Sequence, residues 1–229
     1  MALTSQIILN GQVGLQPTRQ QLAASGKSFT ITNPTAGTAI AYALQATFSA
    51  TANGLFLIQN TNPSGGASIY LDRLKLIQTA TAPTGTLVMR FEAFNESGIV
   101  TATGNVATRT PVNVNGSFGN STGAVVQSFA AGAMTIPAAV GTRRLVDIGA
   151  LQTGVAIAQD AYVMDFGADG VSAGAEGLTA ARAAQPARVT GQMAAIVVAP
   201  QNTVWLNMWW LTAAANVPSF EFSLVYNEL

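Results

Sequence analysis

In the stretch Thr86–Phe94 (TLVMRFEAF), Leu87, Met89, Phe91 and Ala93 fall on one side and Val88, Arg90 and Glu92 on the other. Period two is the signature of a half-buried β-strand, because successive side chains of an extended backbone point to opposite faces. Just upstream, Ser68–Ile77 (SIYLDRLKLI) is rich in apolar residues with Asp72, Arg73 and Lys75 interleaved. The connection Gln78–Gly85 (QTATAPTG) carries Pro83 and Gly85 and reads as a turn. The two segments are therefore expected to form an antiparallel pair, with Asp72 and Glu92 answering Arg73, Lys75 and Arg90 across a solvent face.

Outward from this pair, strands are expected at Phe29–Thr32, Leu55–Gln59, Val112–Val114, Ala124–Phe129, Leu145–Ile148, Ala161–Phe166, Ala194–Val198, Val204–Leu211 and Phe220–Tyr226. Clusters of Gly, Pro, Asn, Ser and Thr separate them, the spacing of a sandwich or barrel. In Val204–Leu211, Val204, Leu206, Met208 and Trp210 share one face, and Trp205, Asn207 and Trp209 share the other. Phe220, Phe222, Leu224 and Tyr226 share a face of the last strand, with Pro218 just before it. A final hairpin is expected from these two. Helix is expected only at Gln20–Ala24 and at Ala175–Ala184, which ends before Pro186. Positions 1–25, poor in alternation, read as an N-terminal arm, and positions 26–229 as one sandwich domain. The chain lacks the fixed internal repeat that marks a solenoid or propeller.

Composition excludes more than it assigns. Ten basic and ten acidic residues make up 9% of the 229, against about a quarter in an ordinary soluble domain. Histidine and cysteine are both missing, which removes the commonest general base, metal ligand and strong nucleophile. Arg19 and Lys27 are the only charged side chains before Asp72, and Arg143-Arg144 is the sole basic pair. A phosphate-tracking surface is not expected from this inventory, nor is a nucleic-acid partner. No run approaches the roughly 18 apolar residues of a membrane-spanning helix. Met1–Leu9 has neither a basic n-region nor an adequate apolar core for a signal peptide, so synthesis in the cytoplasm is expected.

Short motifs do not survive scrutiny. Gly26-Lys27-Ser28 is the tail of a phosphate-binding loop, but Gln21 stands where its first glycine belongs. Asp165-Phe166-Gly167 spells a kinase magnesium tripeptide without any companion motif. Asp160, Asp165 and Asp169, with Gly170 following, lack the spacing of a calcium loop and are expected to be solvated turn residues. Asp72, Glu92, Asp147 and Asp160 could run glycoside chemistry only if two of them met at the right separation. Trp205 and Trp209, on the face opposite Trp210, are candidate interface residues; an intramolecular core and a sugar platform are the other readings.

The C-terminal third carries a resemblance. Ala194–Pro200 (AAIVVAP), the polar turn Gln201-Asn202-Thr203, the strand Val204–Leu211 (VWLNMWWL) and the closing strand Ser219–Leu229 (SFEFSLVYNEL) follow one another as at the end of many viral jelly rolls. Together with the low charge and the Ala/Thr/Gly/Asn-rich loops, this resembles the jelly-roll decoration (cement) proteins of tailed-bacteriophage capsids. The resemblance implies an all-β antiparallel sandwich of jelly-roll type with little helix. It further implies a homotrimer on the outer surface of the virion, clamping adjacent major capsid protein subunits. It supplies no motif that assigns a residue, so no catalytic residue, metal or cofactor is expected. The alternatives are a tail-fibre or receptor-binding module that takes carbohydrate on the tryptophans, and a hydrolase built on carboxylates.

Overall fold

Alternation becomes strand where one set of side chains is buried, and Ser219–Glu228 shows it cleanly: Phe220, Phe222, Leu224 and Tyr226 are buried while Glu221, Ser223 and Val225 are half-exposed. Thr203–Leu211 differs, since every residue from Thr203 to Trp210 is buried and the strand is covered on both faces. The computed structural model describes residues 5–9, 12–16, 18–43, 46–49, 51–79, 86–137, 143–155, 159–167, 174–175, 188–193, 195–211 and 216–229.

In chain order the elements are β1 (Ser5–Leu9), β2 (Gln12–Gln16), α1 (Arg19–Ala24), β3 (Ser28–Thr32), β4 (Ile40–Ala41), β5 (Gly54–Asn60), β6 (Ile69–Gln78), β7 (Thr86–Glu96), β8 (Thr103–Arg109) and β9 (Val112–Asn113). There follow β10 (Ala124–Thr135), β11 (Arg143–Val155), β12 (Ala161–Phe166), β13 (Gly174–Ala175), β14 (Arg188–Met193), β15 (Val197–Val198), β16 (Thr203–Leu211) and β17 (Ser219–Glu228). One sheet runs β11-β7-β16-β5-β10-β8 and the other β13-β14-β12-β6-β17-β3-β9, with β15 on β6 and β4 on β17. Eight strands define the architecture, and they pair from the outside of the sequence inward. β3 pairs with β17, β5 with β16, β6 with β12 and β7 with β11, all antiparallel. This nested order across two facing sheets is the jelly roll. The β8–β10 pair widens one sheet beyond β5, and β14 widens the other beyond β12 in a parallel pairing.

Between the sheets lies an aromatic layer. Trp210 of β16 stacks on Phe220 of β17 with centroids 6.1 Å apart and an interplanar angle of 2°. Phe222 meets Phe56 edge-on at 5.0 Å and Phe129 at 5.6 Å. Tyr42 packs edge-on to Phe129, and its single O–H is shared between the carbonyls of Asn53 at 2.5 Å and Met208 at 3.0 Å.

Nesting corrects two expected pairings. Ser68–Ile77 and Thr86–Phe94 form strands but do not pair: β6 belongs to one sheet and β7 to the other. The expected final hairpin is likewise split, with β16 and β17 facing one another across the core. Asp72 and Arg73 consequently find partners elsewhere, Arg19 of α1 at 2.7 Å and Asp165 of β12 at 2.6 Å. β10 runs past Phe129 because a bulge, with Ala131 at φ 55° and Gly132 at φ 142°, interrupts the alternation without ending the strand. Of the expected helix Ala175–Ala184, Ala175 lies in β13 and the rest falls outside the described residues.

The expected N-terminal arm holds the β1–β2 hairpin, paired with itself, and α1. Thr18 and Gln21 close a capping box at the start of the helix. At its end the Lys27 N–H reaches the Leu22 carbonyl and the Gly26 N–H that of Ala23, a Schellman cap with Gly26 at φ 71°. The expected boundary after Ser25 thus falls on the cap of α1.

Trp210→Ala is expected to cost about 3–5 kcal/mol through the cavity it leaves. Tyr42→Phe, which takes the hydroxyl from the Met208 and Asn53 carbonyls and leaves the latter only the Met208 N–H, is expected to cost about 1–3 kcal/mol. Urea unfolding of the two variants measures both. Burial also pushes the Tyr42 and Tyr226 phenols far above their ordinary range, the Ser121 hydroxyl opposing this only partly at Tyr226. Their contribution is complete below the unfolded value of about 10 and is lost as pH rises beyond it. Stability is expected to fall from about pH 10 upward, with the phenolate absorbance of these two residues appearing only as the chain unfolds.

Candidate functional site

β16 carries its tryptophans on both faces, and the register identifies their neighbours. Trp205 lies between Leu57 of β5 and Phe94 of β7, and Asn207 lies opposite Glu92. This is the outer face of the six-stranded sheet, since Trp210, on the other side, meets β17 in the core. Rings continue across it: Trp205 stacks on Phe94 at 5.7 Å, Phe94 on Phe48 at 6.0 Å, and Phe48 leans on Trp209 at 5.0 Å.

Two loops strap this face, each held by polar side chains of the sheet. Asn207 Nδ2 donates to the Ser49 carbonyl at 3.3 Å, and Asn53 Nδ2 to that of Thr47 at 3.3 Å. Gln59 Nε2 donates to the Val100 carbonyl at 2.7 Å and to the Thr101 hydroxyl at 3.0 Å. Thr203 Oγ1 donates to the Gly98 carbonyl and accepts from the Val100 N–H, while Gln127 Oε1 accepts from the Ala102 N–H. A buried amide that satisfies loop backbone replaces water at little net cost. Gln59 and Asn207 had a visible signal, as polar residues inside strands that are otherwise apolar on both faces.

Trp205 and Trp209 are therefore covered by their own chain, at 2% and 3% exposure. As they lie, neither indole presents a face to a partner or a sugar ring. The exposed member of the cluster is Phe48, at 47%.

Among the described residues the acidic side chains are dispersed. Asp72 and Asp165 sit in their ion pairs on the nine-stranded sheet. For Asp72, burial raises the carboxyl above its ordinary range and outweighs the lowering by Arg19. Asp160 is fully buried, which corrects its expected place in a solvated turn; its own carbonyl accepts from the Gln78 N–H, fixing the start of β12 against β6. Asp169 lies outside the described residues. The β7–β11 register sets position 147 opposite Glu92, so two of the four positions considered for hydrolysis are backbone partners on adjacent strands. Glu92 is buried. Among the described residues no group of three or more acidic side chains gathers as a metal site.

The two short motifs are structural. Gly26-Lys27-Ser28 is the helix cap leading into β3, where an added Cβ at Gly26 would strike the Phe118 ring. In Asp165-Phe166-Gly167, the aspartate pairs with Arg73, the phenylalanine is buried and the glycine turns the chain at φ 74°. A shallow cleft of about 350 Å³ between Asn33, Lys75 and Glu221 lies over the other sheet. No helix among the described residues is long and apolar enough to cross a membrane. Compared with protein-family models, curated proteins and solved structures, the chain matches none of them.

Trp205→Ala is expected to lower the stability of the isolated chain by about 3–5 kcal/mol, as a core truncation does. Phe48→Ala, at a half-exposed ring, is expected to cost roughly 1–2 kcal/mol. Thermal melting at concentrations where light scattering gives a monomer makes the comparison. An unchanged melting temperature for Trp205→Ala would mean that its cover comes from another subunit.

Proposed function

We propose that this chain is a virion structural protein, a capsid decoration protein that stabilises the major-capsid lattice through protein–protein contacts. The observation that carries the reading is the nested eight-strand jelly roll, an architecture of viral capsid domains, built from a chain so poor in charge. Lectin domains share this architecture, but they need an accessible platform, and the tryptophans of β16 are buried.

Charge poverty has a physical use in this role. Glu92, Glu96 and Asp160 are buried, so the surface carries even fewer charges than the composition suggests. Such a surface loses little hydration free energy on contact, and each Å² of apolar area covered contributes on the order of 25 cal/mol before association costs. Val112, Val114 and Phe118 expose apolar side chains along β9 and its following loop, and Tyr70 and Val197, paired in register, do so on β6 and β15. Weak contacts of this kind gain strength when a symmetric lattice repeats them. The proposed unit is a homotrimer on the outside of the shell, made in the host cytoplasm and binding neither nucleic acid nor membrane. No catalytic step is part of the reading.

Two measurements test it. Light scattering of the purified chain is expected to give a multiple of its 23.5 kDa mass at micromolar concentration. Sedimentation with expanded capsids of the particle whose genome encodes the chain is expected to leave it bound at a fixed ratio. A lasting monomer that leaves capsids bare and is retained on a polysaccharide column would overturn the proposal in favour of a receptor-binding module.

A further inference from the structure

Among the described residues the sandwich is open along one side, where the edge of each sheet meets a cleft of about 450 Å³. On the nine-stranded sheet, β9 pairs only with Phe29 and Thr30 of β3. Beyond Thr30, Ile31 and Thr32 have a neighbouring strand on the β17 side alone among the described residues. On the six-stranded sheet β8 is the edge strand, and its last residue, Arg109, lines the same cleft. Uncovered strand edges present main-chain N–H and carbonyl groups that another extended chain can pair with.

Arg109 is held from behind. Its Nε donates to the Ser128 hydroxyl at 2.8 Å, its Nη2 donates to the Phe129 carbonyl at 3.4 Å, and its guanidinium lies 5.8 Å from the centre of the Phe222 ring. Those contacts occupy one edge of the fork. A guanidinium has five N–H groups in a fixed plane, and Nη1 has no hydrogen bond among the described residues, so that side of the fork can meet a planar anion. Among the described residues the ion pairs are Arg19–Asp72 and Arg73–Asp165, and no carboxylate reaches Arg109. Desolvation alone acts on its proton affinity, with no acidic neighbour to offset it.

The rest of the lining narrows the class of ligand. Thr30, Thr32, Thr108 and Thr110 are among its lining residues, and Val112 on its rim is 51% exposed. No aromatic side chain lines it, and the nearest ring, Phe222, is buried beneath the guanidinium. A sugar would find no stacking face there. An extended peptide would find strand edge, hydroxyls, an apolar rim and one cation.

We propose that this cleft receives an extended acidic segment of a partner polypeptide, its main chain along the open edge of β3 and its carboxylate on the free edge of Arg109. The inference rests on the cleft alone and stands whether or not the chain decorates a capsid.

The test titrates the isotope-labelled whole chain with a capped hexapeptide alternating valine and glutamate, and separately with its glutamine twin. The glutamate peptide is expected to shift the amides of Ile31–Asn33 and Thr108–Thr110 and to bind about tenfold more tightly than the twin, as expected for a charge-assisted contact. Val112→Asp adds a competing carboxylate at the rim without touching the core, and is expected to weaken the glutamate peptide about tenfold. Arg109→Lys, which keeps the charge but not the fork, is expected to weaken it several-fold. Equal binding of the two peptides, indifference to both variants, or no shift at millimolar peptide would each overturn the proposal. So would N-acetylneuraminic acid giving the same shifts at equal affinity, which would make the cleft an acidic-sugar site.

Discussion

β17 is the constraint on which the remaining structure depends. It lies between β3 and β6, and its inward side chains Phe220 and Phe222 meet the opposite sheet through Trp210, Phe56 and Phe129. Each principal pair joins strands from opposite sides of the chain's midpoint, and only the innermost, β7 with β11, comes near to being local. Since nearly every pairing is long-range, stability is cooperative, and the loss of β17 leaves both sheets without the surface they pack on. The aromatic layer suits this role because large rings bury much apolar area at a modest cost in rotamer freedom.

The outer face of the six-stranded sheet solves a different problem. A strand apolar on both faces must be covered twice, and here the second cover is two straps rather than another sheet. Loops carry main-chain polar groups that cannot be buried unpaired. The sheet therefore offers Gln59, Gln127, Thr203 and Asn207 to hold them, so an apolar face acquires buried amides at defined places. The price of a second cover in polar pins is small, and it keeps three aromatic rings away from water.

Strands were legible wherever one face alone is buried. Phe220–Tyr226 reads directly because the alternation of side chains and the alternation of burial coincide. Thr103–Arg109 escaped because an edge strand of Thr, Gly, Asn and Ala buries almost nothing, leaving no periodic signal. Pairing was illegible for a deeper reason. Adjacent strands joined by a turn ordinarily pair, and nothing in Gln78–Gly85 or Thr212–Ser219 distinguishes a hairpin from a crossing between sheets. The two-sided burial of Trp205 and Trp209 was readable from Val204–Leu211, whereas the identity of their cover was not, because it comes from straps distant in sequence. Arg109 gave no sign at all: its interest lies in what the fold leaves unpaired around it.

Nested pairing also sets a clock on synthesis. Ser28 and Asn227, hydrogen-bonded in the finished protein, stand 199 positions apart. At about 5–20 residues per second, β3 emerges from the ribosome roughly 10 to 40 seconds before the strand that pairs with it. Through that interval the growing chain holds an uncovered strand edge and an incomplete aromatic layer, so its early segments must stay apart from those of neighbouring nascent chains. A chain cut short before β17 has no closed sandwich to offer, and the fold thereby withholds any finished surface from a molecule that was never completed.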